Sequence, residues 1–133
     1  MEVEASRSPL SFVQASLLGD AVEFSRHAVF VTSEDGQLTV AVNDATCILL
    51  GYTREELLQI PARALADRTP EELEEIYSSM RAARDRAVRR TARWRRKDGA
   101  VVEIGYWGTQ TTVGGIGYLL TLTDPVETAV VLR

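Results

Sequence analysis

The spacing of apolar positions changes along this chain, and each change marks an element. In SPLSFVQASLLG, Leu10, Val13 and Leu17, with Phe12 and Leu18 beside them, form one helical stripe. Ser8-Pro9 opens it as a capping residue followed by proline, and Gly19 closes it. A second short helix is expected at about 20–26. AVFVTS, residues 28–33, is a strand, and Glu34-Asp35-Gly36 a hairpin turn, because glycine accepts the positive φ of tight turns. The next strand alternates, with Leu38, Val40 and Val42 on one face and Thr39 and Ala41 on the other.

The stretch VNDATCILLGYTREEL then starts a helix, stops it and starts another. Asn43 caps the first through its side-chain oxygen, and Gly51 ends it in a left-handed conformation. Thr53 and Glu56 have the spacing of a capping box for the second. Helices this short do not build a bundle; they wrap around something. A longer helix follows in DRTPEELEEIYSSMRAARDRAV, with Thr69 capping, Pro70 first and Glu72 completing another capping box. Leu73, Ile76, Tyr77, Met80 and Ala83/Ala87 make its buried stripe, so it is expected to run to about residue 88. Strands at about 89–96, 101–112 and 116–123 complete the chain, joined by KDG and VGG turns. Hairpins at both ends and helices between them imply an α+β domain: an antiparallel sheet with helices on one face.

At 133 residues the chain is expected to be one domain with a single core. No apolar run approaches the ~20 residues that span a bilayer, and the N-terminus is acidic, without the apolar core of a signal peptide. One cysteine, Cys47, excludes an internal disulfide and suits a reducing compartment, so a cytoplasmic location is expected. The net charge of −4 conceals a basic run: nine of the 15 Lys and Arg lie between Arg81 and Lys97, beside Trp94. Such a run can hold nucleic acid. The favoured reading is simpler, a helix C-terminus where cations complement the dipole, followed by the solvent side of a strand. Catalytic machinery is not evident. One His and one Cys cannot form a His/Cys metal site, the carboxylates at 71–75 are a solvated helix start, and Gly114-Gly115-Ile116-Gly117 opens no helix. No catalytic residue and no metal ligand is assigned.

NDATCILLGYTREEL, then WRRKDG, then a last strand ending TDPVE, in that order across about residues 20–127, resemble the PAS family of sensory domains. The resemblance implies a curved five-stranded antiparallel sheet closed over by helices. It divides the chain into a flanking helix (1–19), the PAS domain (20–124) and the start of a C-terminal linker helix (125–133). Such domains bind small ligands, flavin or haem, or nothing, and relay a conformational signal to an effector. The flavin-photoadduct branch carries a cysteine where this chain has Ala62, and polar flavin-holding side chains where it has Trp94, Ile104 and Leu122. Haem-binding members use a histidine on the long helix, and residues 70–88 contain none. Both cofactors are disfavoured, and the identity of any cofactor is left open.

Period-two reasoning turns Val102, Ile104 and Tyr106, and Tyr118, Leu120 and Leu122, inward with Phe30, Thr32 and Trp94. This lining suits a small apolar ligand or a self-filled core, with Tyr106, Tyr118 and Thr32 as polar handles. Val101, Trp107 and Leu119 are then expected outward, covered by the helix carrying Leu10, Val13 and Leu17, and a homodimer through this face is expected. Where the family has its Asp-Ile-Thr signal-transfer signature, this chain has Asp124-Pro125-Val126. Asp124 as cap and Glu127 at the capping-box position predict the start of a helix there. The expected function is a non-catalytic sensory domain that dimerises, binds a small apolar ligand and signals to an effector in the same chain or in trans. The alternatives are a ligand-free dimerisation module and a cone-shaped α+β enzyme of the nuclear-transport-factor-like type, which the apolar inward positions disfavour.

Overall fold

The computed structural model describes residues 26–84 and 86–132. The helix expected at 8–19, and that at 20–26 except for Arg26, lie outside the described residues, and Leu10, Val13 and Leu17 with them. The strands are β1 (His27–Ser33), β2 (Thr39–Val42), β3 (Val88–Arg95), β4 (Val101–Val113), β5 (Ile116–Pro125) and β6 (Val130–Leu132). They form one antiparallel sheet in the order β2-β1-β5-β4-β3, with β6 pairing to the start of β4 where β5 has left it. Between β2 and β3 come α1 (Asp44–Leu50), α2 (Arg54–Gln59), α3 (Ala62–Leu65) and α4 (Pro70–Arg81).

The helix signals act locally. Asn43 caps α1, Gly51 ends it at φ 80°, and both capping boxes, Thr53–Glu56 and Thr69–Glu72, are formed. Asn43 does more than cap. Its Oδ1 accepts from the Val29 N–H at 3.0 Å, and its Nδ2 donates to the His27 carbonyl at 2.9 Å. Thr46 Oγ1 accepts from the same Val29 N–H and donates to the Val29 carbonyl at 2.8 Å. Both side chains are buried, so α1 is fastened to β1 by bonds that water does not compete for.

Four expectations are corrected. The long helix ends at Arg81, not near residue 88, although its apolar pattern continues. The Ala83 carbonyl accepts from the Thr109 hydroxyl on β4, and that tertiary bond draws the chain away from the helix axis. The expected C-terminal helix is a single 3-10 turn, Val126–Thr128, followed by β6. Asp124 does not cap it, because Arg89 holds the carboxylate, and the edge of Val101–Glu103 recruits Val130–Leu132 as a strand. In β2 a bulge skips Val40: Val31 pairs with Ala41 but Thr32 with Thr39. Thr39 and Val42 are therefore both buried, and Leu38 and Val40 are exposed.

The fourth correction concerns the faces of β5. Gly114 and Gly115 both have positive φ, 59° and 81°, as a two-residue hairpin turn requires. This turn pairs Val113 with Ile116 and so Trp107 with Leu122 and Gln110 with Leu119. Facing partners share a side of the sheet. Leu119 consequently lies in the inner core with Phe30, Met80, Val102, Ile104 and Tyr106. Tyr118, Leu120 and Leu122 lie on the other face with Val29, Val31 and Trp107. Both faces of β5 are apolar, so alternation alone carries no information about which is which.

Asn43→Ala removes the cap and leaves the His27 carbonyl without its side-chain donor. It should lower unfolding free energy by about 1–3 kcal/mol, read as a reduced urea midpoint with an unchanged slope.

Candidate functional site

A cavity of about 60 Å³ lies between α4 and the inner face of the sheet. The sheet contributes Phe30, Thr32, Trp94, Tyr106 and Thr121. Ile76, Tyr77 and Met80 of α4 close it from above, and Ala62, Ala66 and Arg68 from the side. Phe30 and Trp94 meet with ring centroids 5.1 Å apart and fill much of the concavity themselves. Arg63 stacks on Tyr77 at 4.7 Å from the ring centroid.

Of the nine residues expected to line a pocket, Phe30, Thr32, Trp94 and Tyr106 do so. Val102 and Ile104 share that face but belong to the packed core, and Tyr118, Leu120 and Leu122 face away. Thr121 was missed for the same reason that Leu122 was misplaced. The hairpin length in the sequence was the signal that could have found both. Arg68, Ile76 and Tyr77 needed the packing of α4, which alternation in strands does not predict.

Tyr106 is buried, which pushes its hydroxyl up to about 12 and keeps it neutral at physiological pH. Burial likewise raises Tyr77. Neither hydroxyl, nor Thr121 Oγ1, has a hydrogen-bond partner among the described residues. The cavity offers little to a flavin or haem. Pockets for ligands of that kind measure roughly 300–1,000 Å³. Ala62 is in the wall without a thiol, and Leu122, expected near a flavin edge, is on the opposite face.

The outer face carries a second constellation. Arg89 of β3 holds Asp124 of β5 through two bonds, 2.8 and 2.6 Å, passing over Gly105 of the strand between them. A Cβ at Gly105 would stand 2.5 Å from Asp124 Oδ2 and 2.7 Å from Arg89 Nη2, so a side chain there would displace the pair from this position. The same guanidinium lies 5.2 Å from the centroid of Trp107. His27 Nδ1 is 2.8 Å from the Thr123 carbonyl, and Arg26 pairs with Glu127. Asp124 and Glu127 are thus both tied to the sheet by arginines. Val101 sits on this side by alternation with inward Val102 and pairs with Leu132 of β6.

The basic run is largely neutralised. Arg81, Arg89, Arg90, Arg93 and Arg95 face Glu74, Asp124, Glu75, Glu103 and Asp67, and Lys97 faces Glu56. Among the described residues no three His, Cys, Asp or Glu side chains cluster as a metal site requires, and no helix is long and apolar enough to cross a membrane.

The PAS domain family model matches residues 26–124, most of the chain, and the chain belongs to that family. The fold is shared with solved structures. A PAS domain of an HTR-like protein from Haloarcula marismortui superposes with a TM-score of 0.71 at 20% identity, covering 90% of this chain and 97% of that one. A domain of the sensory box sensor histidine kinase/response regulator from Geobacter sulfurreducens gives 0.62 at 16%, covering 86% and 96%. The Rhodobacter sphaeroides LOV protein gives 0.63 at 15%, covering 93% and 68%. No curated protein matches the chain in sequence. The protein is a PAS domain of the sensory and signalling class, with the α+β architecture expected of it.

The Arg89–Asp124 pair has a pH signature. Arg89 holds the Asp124 carboxyl below its ordinary range, so the folded pKa is depressed. The stability it contributes is present above the unfolded pKa and is lost as pH falls through the folded value. Asp124→Asn should therefore cost about 0–1 kcal/mol near neutrality, this being a half-exposed pair. The variant and the parent should converge in thermal midpoint once pH falls below the usual carboxylate range. A difference that persists in acid would mean that the side chain acts by packing.

Proposed function

We propose that this PAS domain is a non-catalytic sensory relay in which the state of the cavity between α4 and the sheet is reported on the opposite face of the sheet. One observation carries the reading: β4 and β5 serve both sides. Tyr106 and Thr121 line the cavity, while their chain neighbours Trp107 and Leu122 pair with each other on the outer face. A repacking inside shifts the strands that bear the outer patch. A ligand biases that equilibrium only by its difference in affinity for the two states.

The outer patch supplies the output surface. Val29, Val31, Leu120 and Leu122 are buried, with Trp107, Tyr118 and Ala87 the partly buried apolar residues packed on them. That burial means the apolar sheet face is covered rather than solvated. The occupant proposed is the N-terminal segment with Leu10, Val13 and Leu17, shared with a second copy in a homodimer. Asp124 and Glu127 then carry the change onward, to an effector in the same longer protein or in trans. The sensor-kinase domain among the structural neighbours supports a signalling role. The cytoplasm is the compartment proposed for it.

A second reading is supported by the size of the cavity and the Phe30–Trp94 contact: a ligand-free PAS dimerisation module with a self-filled core. Native mass spectrometry separates the two, since retained ligand adds mass beyond two chains. The nuclear-transport-factor-like enzyme is not favoured by the family match.

Trp107→Arg tests the output face. An unpaired guanidinium in an interface costs about 3–5 kcal/mol, so self-association measured by sedimentation should weaken by at least about a hundredfold with the circular dichroism spectrum retained. A folded variant that remains dimeric would place the dimer contact elsewhere.

A further inference from the structure

Arg68 stands apart from the other arginines of this region. Arg63, Arg81, Arg89, Arg90, Arg93, Arg95 and Arg96 each face a carboxylate. Arg68 makes no ion pair among the described residues; Nη2 donates to the Thr91 carbonyl at 2.9 Å, and the buried Nε has no partner. Two of the three nearby carboxylates are engaged elsewhere; the third, Glu71, makes no ion pair or hydrogen bond among the described residues. Glu72 accepts from the Thr69 N–H at 2.8 Å, and Glu75 binds Arg90 at 2.6 Å. Together with Arg68, they border an open groove between α4 and β3 that shares Arg68, Ile76 and Thr91 with the cavity.

A buried guanidinium N–H without an acceptor is costly, and charged donors are the costliest to leave unmet. Tyr106, whose hydroxyl has no partner among the described residues, lines the same cavity. Phe30, Leu73, Ile76 and Met80 make the walls largely apolar, with Thr32, Thr91, Thr121 and Arg93 among them. A cationic donor and a neutral hydroxyl donor lining one small, largely apolar space match a carboxylate head with a short aliphatic tail. The volume, about 60 Å³, compares with about 30 Å³ for each water in the liquid. It limits the tail to one or two carbons, with Met80 the side chain able to yield.

We propose that the cavity binds a short aliphatic monocarboxylate, of acetate to propionate size, with the Arg68 guanidinium and the Tyr106 hydroxyl as its recognition pair. This rests on reading the cavity as the sensing pocket and names the class of its occupant. It also modifies the purely apolar ligand expected from the lining.

The test is a nitrogen-15 NMR titration of the whole chain with sodium acetate, sodium propionate, propionamide and sodium sulfate at matched ionic strength. Expected are saturable shifts at Thr91, Tyr106 and the Trp94 indole with the carboxylates, and binding of propionamide weaker by about tenfold or more. Arg68→Gln should weaken propionate by a similar factor, and Tyr106→Phe by less; if Arg68→Gln does not fold, the carboxylate–amide comparison on the parent chain decides. Equal binding of sulfate, or an unchanged propionate affinity in folded Arg68→Gln, would overturn the proposal. Propionamide binding in the cavity without propionate binding would overturn the carboxylate class and leave the sensing pocket standing. No shift with any of the four probes would overturn the proposal, and added mass in the native spectrum would then show whether the sensing reading survives it.

Discussion

The structure turns on the two-residue turn at Gly114–Gly115. Two consecutive positive φ angles are inexpensive only for glycine, and they lock β4 against β5 without slack. Once Val113 faces Ile116, every later pair follows, and side chains with a period of two are sorted onto one face or the other. Leu119 goes to the core, and Leu120 and Leu122 to the outer patch. The cavity and the output surface exist as separate places because this register holds.

The second organising feature is the fastening of the short helices to the sheet. Asn43 and Thr46 together satisfy both backbone groups of Val29, at a point where a strand edge meets a helix start. A helix of seven residues has little stability of its own, so α1 owes its place to these buried bonds and to Leu49 and Leu50 in the core. α2 and α3 follow the rim, and α4 closes the inner face over Tyr106. What the broken helices wrap is a space barely larger than its own lining. Small changes in side-chain packing are therefore large relative to the cavity, which suits a relay that works by repacking.

Charge is distributed in the same two-sided way. On the outer face Arg89 spans three strands to reach Asp124 and lies over Trp107, coupling the end of β5 to β3 and to the patch. On the inner side Arg68 touches a cavity rather than a carboxylate. The long basic run, which in sequence resembles a nucleic-acid patch, is in space a set of individual pairs with acids from α2, α4 and the loops. Arg68 and Arg93 both line the cavity with a buried Nε that makes no hydrogen bond, but among the described residues Arg93 has an ion pair and Arg68 has none.

The amino-acid order by itself determined the elements whose causes are local. Caps, capping boxes, terminating glycines and turn residues act within a few positions, so Asn43, Gly51, Thr53, Thr69 and Gly99 could be read before any packing was known. The strand–helix–strand order and the motifs at 43–57 and 94–99 also sufficed to identify the family. The inward set on β4 followed from alternation, because Glu103 and Gly105 make the two faces differ. What the tertiary structure alone decided depends on partners far along the chain. The bulge at Val40 reversed the parity of β2, the Thr109 hydroxyl ended α4 early, and an open edge of β4 turned the last residues into β6. The apolar faces of β5 were indistinguishable until the Gly114–Gly115 turn set their register against Trp107. Arg68 was one basic residue among many until the fold placed it on the wall of the cavity with its Nε buried. Interactions of short range are written in the order of residues, whereas facing, burial and the absence of a partner are properties of distance in space.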